Sequence, residues 1–144
     1  MTVHPTDHAG LEILPFETCL RLLDSVPVGR VGFFADGEIM ILPVNHLLDG
    51  QDVIFRTGAG SKLSYVRSEK LISFETDSYD AETHSGWSVI VNGYTEEVES
   101  DAELRRLSDL GLRSWGRSAD AQHWIRIRPT SITGRRTAGT AFGG

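Results

Sequence analysis

The sequence predicts one antiparallel β-barrel with a few peripheral helices. Two Asp-Gly pairs, Asp36-Gly37 and Asp49-Gly50, each stand between β-branched or aromatic runs, the strongest short-range signal for a hairpin. Several further runs alternate apolar and polar residues, and the strands are joined by hairpins rather than arranged as repeated βαβ units. At 144 residues the chain matches a single domain of roughly 150. It is long enough to bury about two-thirds of its unfolded surface without a disulfide or metal staple.

Taken in order, Met1–Gly10 and Thr137–Gly144 are small and polar and are expected to be poorly ordered tails, leaving 11–136 as the domain. His4 and His8 fall in the first tail. Phe16, Cys19, Leu20 and Leu23 fall on one helical face, with Pro15 suited to the first turn and Pro27 beyond the end. Cys19 on that face is read as a small core residue. Val28–Ala35, Glu38–Leu48 and Val53–Thr57 follow as a three-strand meander joined by the Asp-Gly turns. Pro43 cannot donate to a ladder, so a bulge or an unpaired edge is expected there. Ser61–Arg67 reads as a short helix capped by Ser61. Leu71–Thr76 and Trp87–Val98 are strands separated by a polar acidic loop, Asp77–Ser85. Ser100 and Glu103 form a capping box opening a helix with Leu104, Leu107 and Leu110. The last strand, His123–Arg128, places Ile125 and Ile127 on one face and Trp124, Arg126 and Arg128 on the other. That makes six strands.

Composition narrows the function. The net charge is −6, and hydrophobic residues make up 40%. Residues 1–100 carry 6 basic and 16 acidic side chains, whereas 101–144 carry 8 arginines and 4 acids. A negative chain without a cationic cluster argues against nucleic-acid binding; the arginine-rich end is either a solvated face or a local anion site. No apolar run approaches the length that crosses a bilayer, and no secretory leader opens the chain, so a cytoplasmic protein is expected. One cysteine excludes an internal disulfide. His46, His84 and His123 are scattered over three elements without metal-ligand spacing, so no metal site is expected.

One segment has the makings of a site. In Phe55-Arg56-Thr57-Gly58-Ala59-Gly60-Ser61-Lys62-Leu63 a strand ends in a hydroxyl, glycines bring backbone close, and a helix opens at Ser61 and Lys62. Free N–H groups and the Lys62 charge can cradle an anion, although an ordinary capped helix has the same spacing. Neither a P-loop nor a GxGxxG fingerprint is present, and no GxSxG elbow. His46, after the Pro43 break, either faces a pocket or is a plain strand histidine. Trp87 and Ser88 stand at the entry to a long strand, where Trp87 also fits core packing.

In this order, the helix Phe16–Ser25, Val28-Gly29-Arg30-Val31-Gly32-Phe33, Pro43-Val44-Asn45-His46, Val53-Ile54-Phe55-Arg56-Thr57, Gly60-Ser61-Lys62-Leu63, Gly86-Trp87-Ser88-Val89 and Ile125-Arg126-Ile127-Arg128-Pro129 resemble the flavin-binding split-barrel proteins related to pyridoxamine 5′-phosphate oxidase. The resemblance runs from about Phe16 to Arg136. It implies a six-stranded, Greek-key-type split barrel working as a homodimer, with FMN in two clefts between the subunits. Thr57, Ser61 and Lys62 match the segment that grips the FMN phosphate, with Arg56 beside it. Val44, Asn45 and His46 match the strand along the isoalloxazine ring. Trp87 and Ser88 match a pair that reaches the flavin from the other subunit. His46 is the expected acid–base residue.

The pattern departs from the true oxidases at its end. Arg135 and Arg136 stand where a tryptophan and an Arg-x-His segment hold the pyridoxal substrate. The chain thus resembles the short flavin-binding relatives, among them nitroimidazole-resistance reductases. The expected function is a flavin-dependent oxidoreductase acting on a small organic molecule. The alternatives are a deazaflavin-dependent reductase, whose acidic coenzyme tail Arg126, Arg128, Arg135 and Arg136 would receive, and a flavin-binding module without turnover.

Overall fold

A computed structural model of the chain describes residues 4–58, 62–67, 69–113 and 122–138. The strands are β1 (Glu12–Ile13), β2 (Val28–Ala35), β3 (Glu38–Asn45), β4 (Leu47–Asp49), β5 (Asp52–Gly58), β6 (Leu71–Asp80), β7 (Ser85–Glu97) and β8 (Gln122–Arg136); the α-helices are α1 (Phe16–Ser25) and α2 (Asp101–Ser108), and Lys62–Val66 form a 3-10 helix. The six long strands are those expected from the sequence; β1 and β4 are short additions.

All pairings are antiparallel, in the order β3-β2-β6-β7-β8-β5-β4, with β1 added to β8. The sheet curls until β3 and β5 come into contact, giving a split β-barrel. Period-2 alternation sorts its side chains. Val31, Phe33, Val53, Phe55, Phe74, Val89, Val91, Ile125 and Ile127 fill the interior, plugged by Cys19 and Leu23 of α1. Ile54, Val98 and Trp124, packed against Leu107 of α2, make a second small core outside the barrel. Cys19 is thus a core residue, fully buried, its thiol pushed upward by burial.

Both hairpins form, the second turning on Gly50-Gln51 because Asp49 pairs with Asp52, but they do not make a meander. Asp36 and Gly37 both take positive φ, 51° and 78°, as the tight turn joining twisted strands demands. The chain breaks at His46, and the hairpin β4–β5 lies at the opposite end of the sheet order from β2–β3. Pro43 sits on an edge, since β3 pairs with β2 alone, where its missing N–H costs no ladder bond. The Asp77–Ser85 loop is mostly strand, because β6 and β7 stay paired out to Asp80 and Ser85. β8 runs to Arg136, past Pro129, by means of a register shift at Asn92/Gly93. Residues 4–10, expected to be loose, follow a bonded path: the Asp7 carboxylate accepts from the N–H groups of Ala9 and Leu11 (2.9 and 3.0 Å), and Pro5 O accepts from Ile13 N–H (2.7 Å). No helix among the described residues is long and apolar enough to cross a membrane.

Candidate functional site

The strand β5 divides the expected phosphate-binding residues. Thr57 shares the interior face with Val53 and Phe55 and is only 2% exposed; its hydroxyl donates to Gly58 O at a long 3.3 Å. Arg56 points to the outer side with Ile54. Its guanidinium donates to Leu112 O at 2.6 Å and lies 5.0 Å over the Trp124 ring, and burial depresses its pKa. Lys62 is exposed at the start of the 3-10 helix, which packs against β5. Five residues of 3-10 helix supply little dipole, so any attraction for an anion here would come from the Lys62 charge itself. Ser61 lies outside the described residues.

Val44 is core-buried, so only its backbone can serve a ligand. As an edge strand, β3 leaves half its backbone groups directed away from its ladder. Asn45 and His46 line a cleft of about 350 Å³ together with Asp24, Pro27 and Leu112. Leu47 pairs with Ile54, three positions from Thr57, or roughly 10 Å along β5. One nucleotide-sized molecule could therefore touch both the β3 end and Thr57.

His46 itself is turned inward. It is 6% exposed, its Nε2–H donates to Leu23 O at 2.8 Å, and its ring meets Phe74 edge-on at 4.8 Å. A carbonyl only accepts, so the hydrogen sits on Nε2 and Nδ1 is left buried without a partner. Burial lowers its pKa and keeps it neutral. The expected acid–base role is corrected: no ring nitrogen is exposed to a substrate.

The barrel mouth beside Thr57 holds residues that spacing did not single out. His123 stands opposite Thr57 across β5 and β8. Its Nδ1 lies 2.8 Å from Glu97 Oε2, while Arg67 donates to Glu97 Oε1 through Nε at 2.9 Å and Nη2 at 2.8 Å. Burial raises the Glu97 pKa, but the bonds from His123 and Arg67 outweigh it and hold the carboxyl below its ordinary value. His123, Glu97 and Arg67 lie far apart in sequence, so only the strand register reveals the group.

Trp87 and Ser88 are elsewhere. Ten positions of β7 separate Trp87 from Glu97, about 33 Å of strand, so one chain does not bring them to Thr57. Trp87 packs partly into the core and lines a cleft of about 580 Å³ with Glu12, Asp80 and Arg136. Ser88 faces outward opposite Asp77 and Arg135. On the same outer face Arg30 Nη1 lies 3.2 Å from both Glu75 and Asp77. Burial, then the neighbouring Asp77, pushes the Glu75 carboxyl up to about 7 against the pull of Arg30.

The four arginines expected to receive an acidic tail are all engaged. Arg126 pairs with Asp49 and Asp52 at 2.9 and 2.8 Å, Arg128 with Glu96 at 2.7 Å, Arg135 with Asp7 at 3.1 Å and Arg136 with Glu12 at 3.0 Å. Arg135 and Arg136 fasten the N-terminal segment to the sheet, Arg128 ties β8 to β7, and Arg126 ties β8 to β4 and β5 and, through Glu103 at 3.4 Å, to α2.

Comparison with known proteins agrees with this architecture. The family model for pyridoxamine 5′-phosphate oxidase matches residues 15–136. The uncharacterised protein Rv0080 of Mycobacterium tuberculosis is 36% identical over 125 residues, covering 83% of this chain and 81% of that protein. The structure of an FAD-binding protein from Mycobacterium smegmatis is 36% identical with a TM-score of 0.72, covering 87% of this chain and 96% of that one. A Corynebacterium diphtheriae protein of unknown function is 30% identical with a TM-score of 0.74, covering 89% and 98%.

Proposed function

The chain belongs to the pyridoxamine 5′-phosphate oxidase family, and from that premise we propose that it binds a flavin nucleotide, FMN, and acts as an oxidoreductase on a small organic molecule. The observation that carries this reading is that the 3-10 helix opened by the exposed Lys62 packs against β5, the strand that carries Thr57, with the end of β3 about one nucleotide's length from Thr57. Lys62 takes part in no ion pair among the described residues. A hydroxyl and an ammonium suit a phosphate, and edge-strand amides and carbonyls suit the polar rim of a flavin ring. The 36%-identical M. smegmatis protein binds FAD by its name, which supports the cofactor class. Bound flavin would supply the hydride or electron transfer, and the chain its orientation and surroundings. The deazaflavin alternative loses its support in the paired arginines.

The working unit in this proposal is a homodimer. Phe34, Ile39 and Ile41 are 72%, 78% and 68% exposed, and they share the outer face of the sheet with Leu71, Ile90 and Tyr94. A contiguous apolar face of this kind on a protein surface marks a binding partner. A second copy would supply the Trp87 and Ser88 that one chain leaves far from Thr57.

Titration of the purified protein with FMN, FAD and riboflavin, followed by flavin fluorescence, tests the cofactor. A charge-assisted bond of about 1.5–3 kcal/mol corresponds to an FMN affinity at least about tenfold above riboflavin that Lys62→Ala abolishes. Absence of saturable binding by any flavin overturns the proposal. Light scattering is expected to give twice the chain mass, falling to one in Ile41→Asp; a monomeric wild type removes the dimer.

A further inference from the structure

We propose that His123, held from behind by Glu97 and Arg67, is a further ligand of the flavin phosphate. This rests on the reading that the phosphate lies at Thr57 and Lys62. His123 and Thr57 are directly paired across β5 and β8, and antiparallel partners stand on one face with Cβ atoms about 4.5–5.5 Å apart. That face is the barrel interior, because the same register pairs Phe55 with Ile125 and Val53 with Ile127. The imidazole therefore stands beside the hydroxyl, in the mouth against which the 3-10 helix carrying Lys62 packs.

The ring is fixed there by a relay. Arg67 grips Glu97 Oε1 with two nitrogens and leaves Oε2 for His123 Nδ1 at 2.8 Å. A carboxylate can only accept, so Nδ1 carries the hydrogen and Nε2 is the ring's free edge. Nε2 makes no hydrogen bond among the described residues, and the side chain is 24% exposed, which leaves the ring a route to a ligand. An imidazole backed by a carboxylate is the arrangement that orients histidine toward a charged partner. A ring with hydrogens on both nitrogens donates one to Glu97 and one to a phosphate oxygen. Glu97 and Arg67 are positioning residues; His123 makes the contact.

The experiment measures FMN and riboflavin affinity of the full-length chain by fluorescence titration for the wild type, His123→Ala, His123→Gln, Glu97→Gln and Lys62→Ala, with thermal melts as the check on folding. Riboflavin lacks the phosphate and shares the rest. The expected result is an FMN affinity about tenfold weaker in His123→Ala, a smaller loss in Glu97→Gln, and riboflavin affinity unchanged in both. Should His123→Ala fail to fold, His123→Gln, which cannot be charged, is expected to show the same FMN-only loss. The proposal is overturned if the His123 variants retain the wild-type FMN affinity while Lys62→Ala loses it, or if they lose FMN and riboflavin equally. A wild type that binds FMN no better than riboflavin overturns the phosphate reading itself, and His123's role with it.

Discussion

Arg56 and Thr57 are consecutive in β5 and face opposite sides of the sheet: the threonine enters the barrel, and the arginine clamps Leu112 O and stacks on Trp124 outside it. A structural tether and the proposed phosphate ligand are thus consecutive residues of one strand. Thr57→Val, which keeps the volume and removes the hydroxyl, should weaken FMN several-fold with little change in thermal stability. Arg56→Leu should cost about 1–3 kcal/mol in denaturant unfolding through the lost clamp and stacking, yet leave the FMN-to-riboflavin ratio unchanged. A collapse of that ratio in Arg56→Leu would show that the arginine also reaches the phosphate.

His46 gives the fold an acid sensitivity. Its pKa is lowered from 6.5, chiefly by burial, so in acid the unfolded chain takes up a proton that the folded chain resists. Its contribution is present above pH 6.5 and is lost as pH falls below that value. His46→Gln, able to donate to Leu23 O without titrating, should flatten the decline of the urea midpoint between pH 7 and pH 5. An unchanged slope would mean that the ring titrates freely in the folded state.

Glu75 works in the other direction. Its pKa is raised from 4.5 to about 7, by burial first and then by Asp77. A raised carboxyl contributes fully below pH 4.5, and that contribution is lost as pH rises through about 7. Glu75→Gln should therefore match the wild type near pH 4.5 and exceed it in melting temperature at pH 8. Equal melting temperatures at both pH values would remove the buried-acid assignment.

Gly93 sits at the register shift between β7 and β8, and a Cβ there would run into the carbonyl oxygen of Arg128 and come within 2.9 Å of its carbonyl carbon. Backbone of a paired strand has nowhere to go, unlike the end of a flexible side chain. Gly93→Ala should lower stability by about 2–4 kcal/mol, within the range of severe core and backbone substitutions, as read from urea unfolding. Gly32→Ala is the control, because its added Cβ would meet nothing closer than 3.8 Å; comparable losses in both would implicate strand propensity instead.

Much of the fold was legible in the sequence because the signals are local. Asp36-Gly37 announces its turn through the φ values only such residues accept easily. Alternation sorts Val53, Phe55 and Thr57 from Ile54 and Arg56, and Ser100 caps α2 by accepting from Glu103 N–H. Three readings went astray where the deciding contact is distant. The meander failed because the chain turns away at His46 and carries β4–β5 to the far end of the sheet order. His46, the expected acid–base residue, has its ring drawn into the core by Leu23 O and Phe74. The C-terminal arginines, legible in the sequence as either a solvated face or an anion site, are paired with Asp7, Glu12, Asp49, Asp52 and Glu96.

By itself, then, the sequence determined that the six long strands form, where Asp36-Gly37 turns, and which residues share a face, because backbone sterics and a side-chain period of two act within a few residues. Only the tertiary structure decided which strands become neighbours. Strands of equal period can be ordered in many ways, and the choice is made by how their apolar faces close into one barrel. That choice set His123 opposite Thr57 with Glu97 behind it.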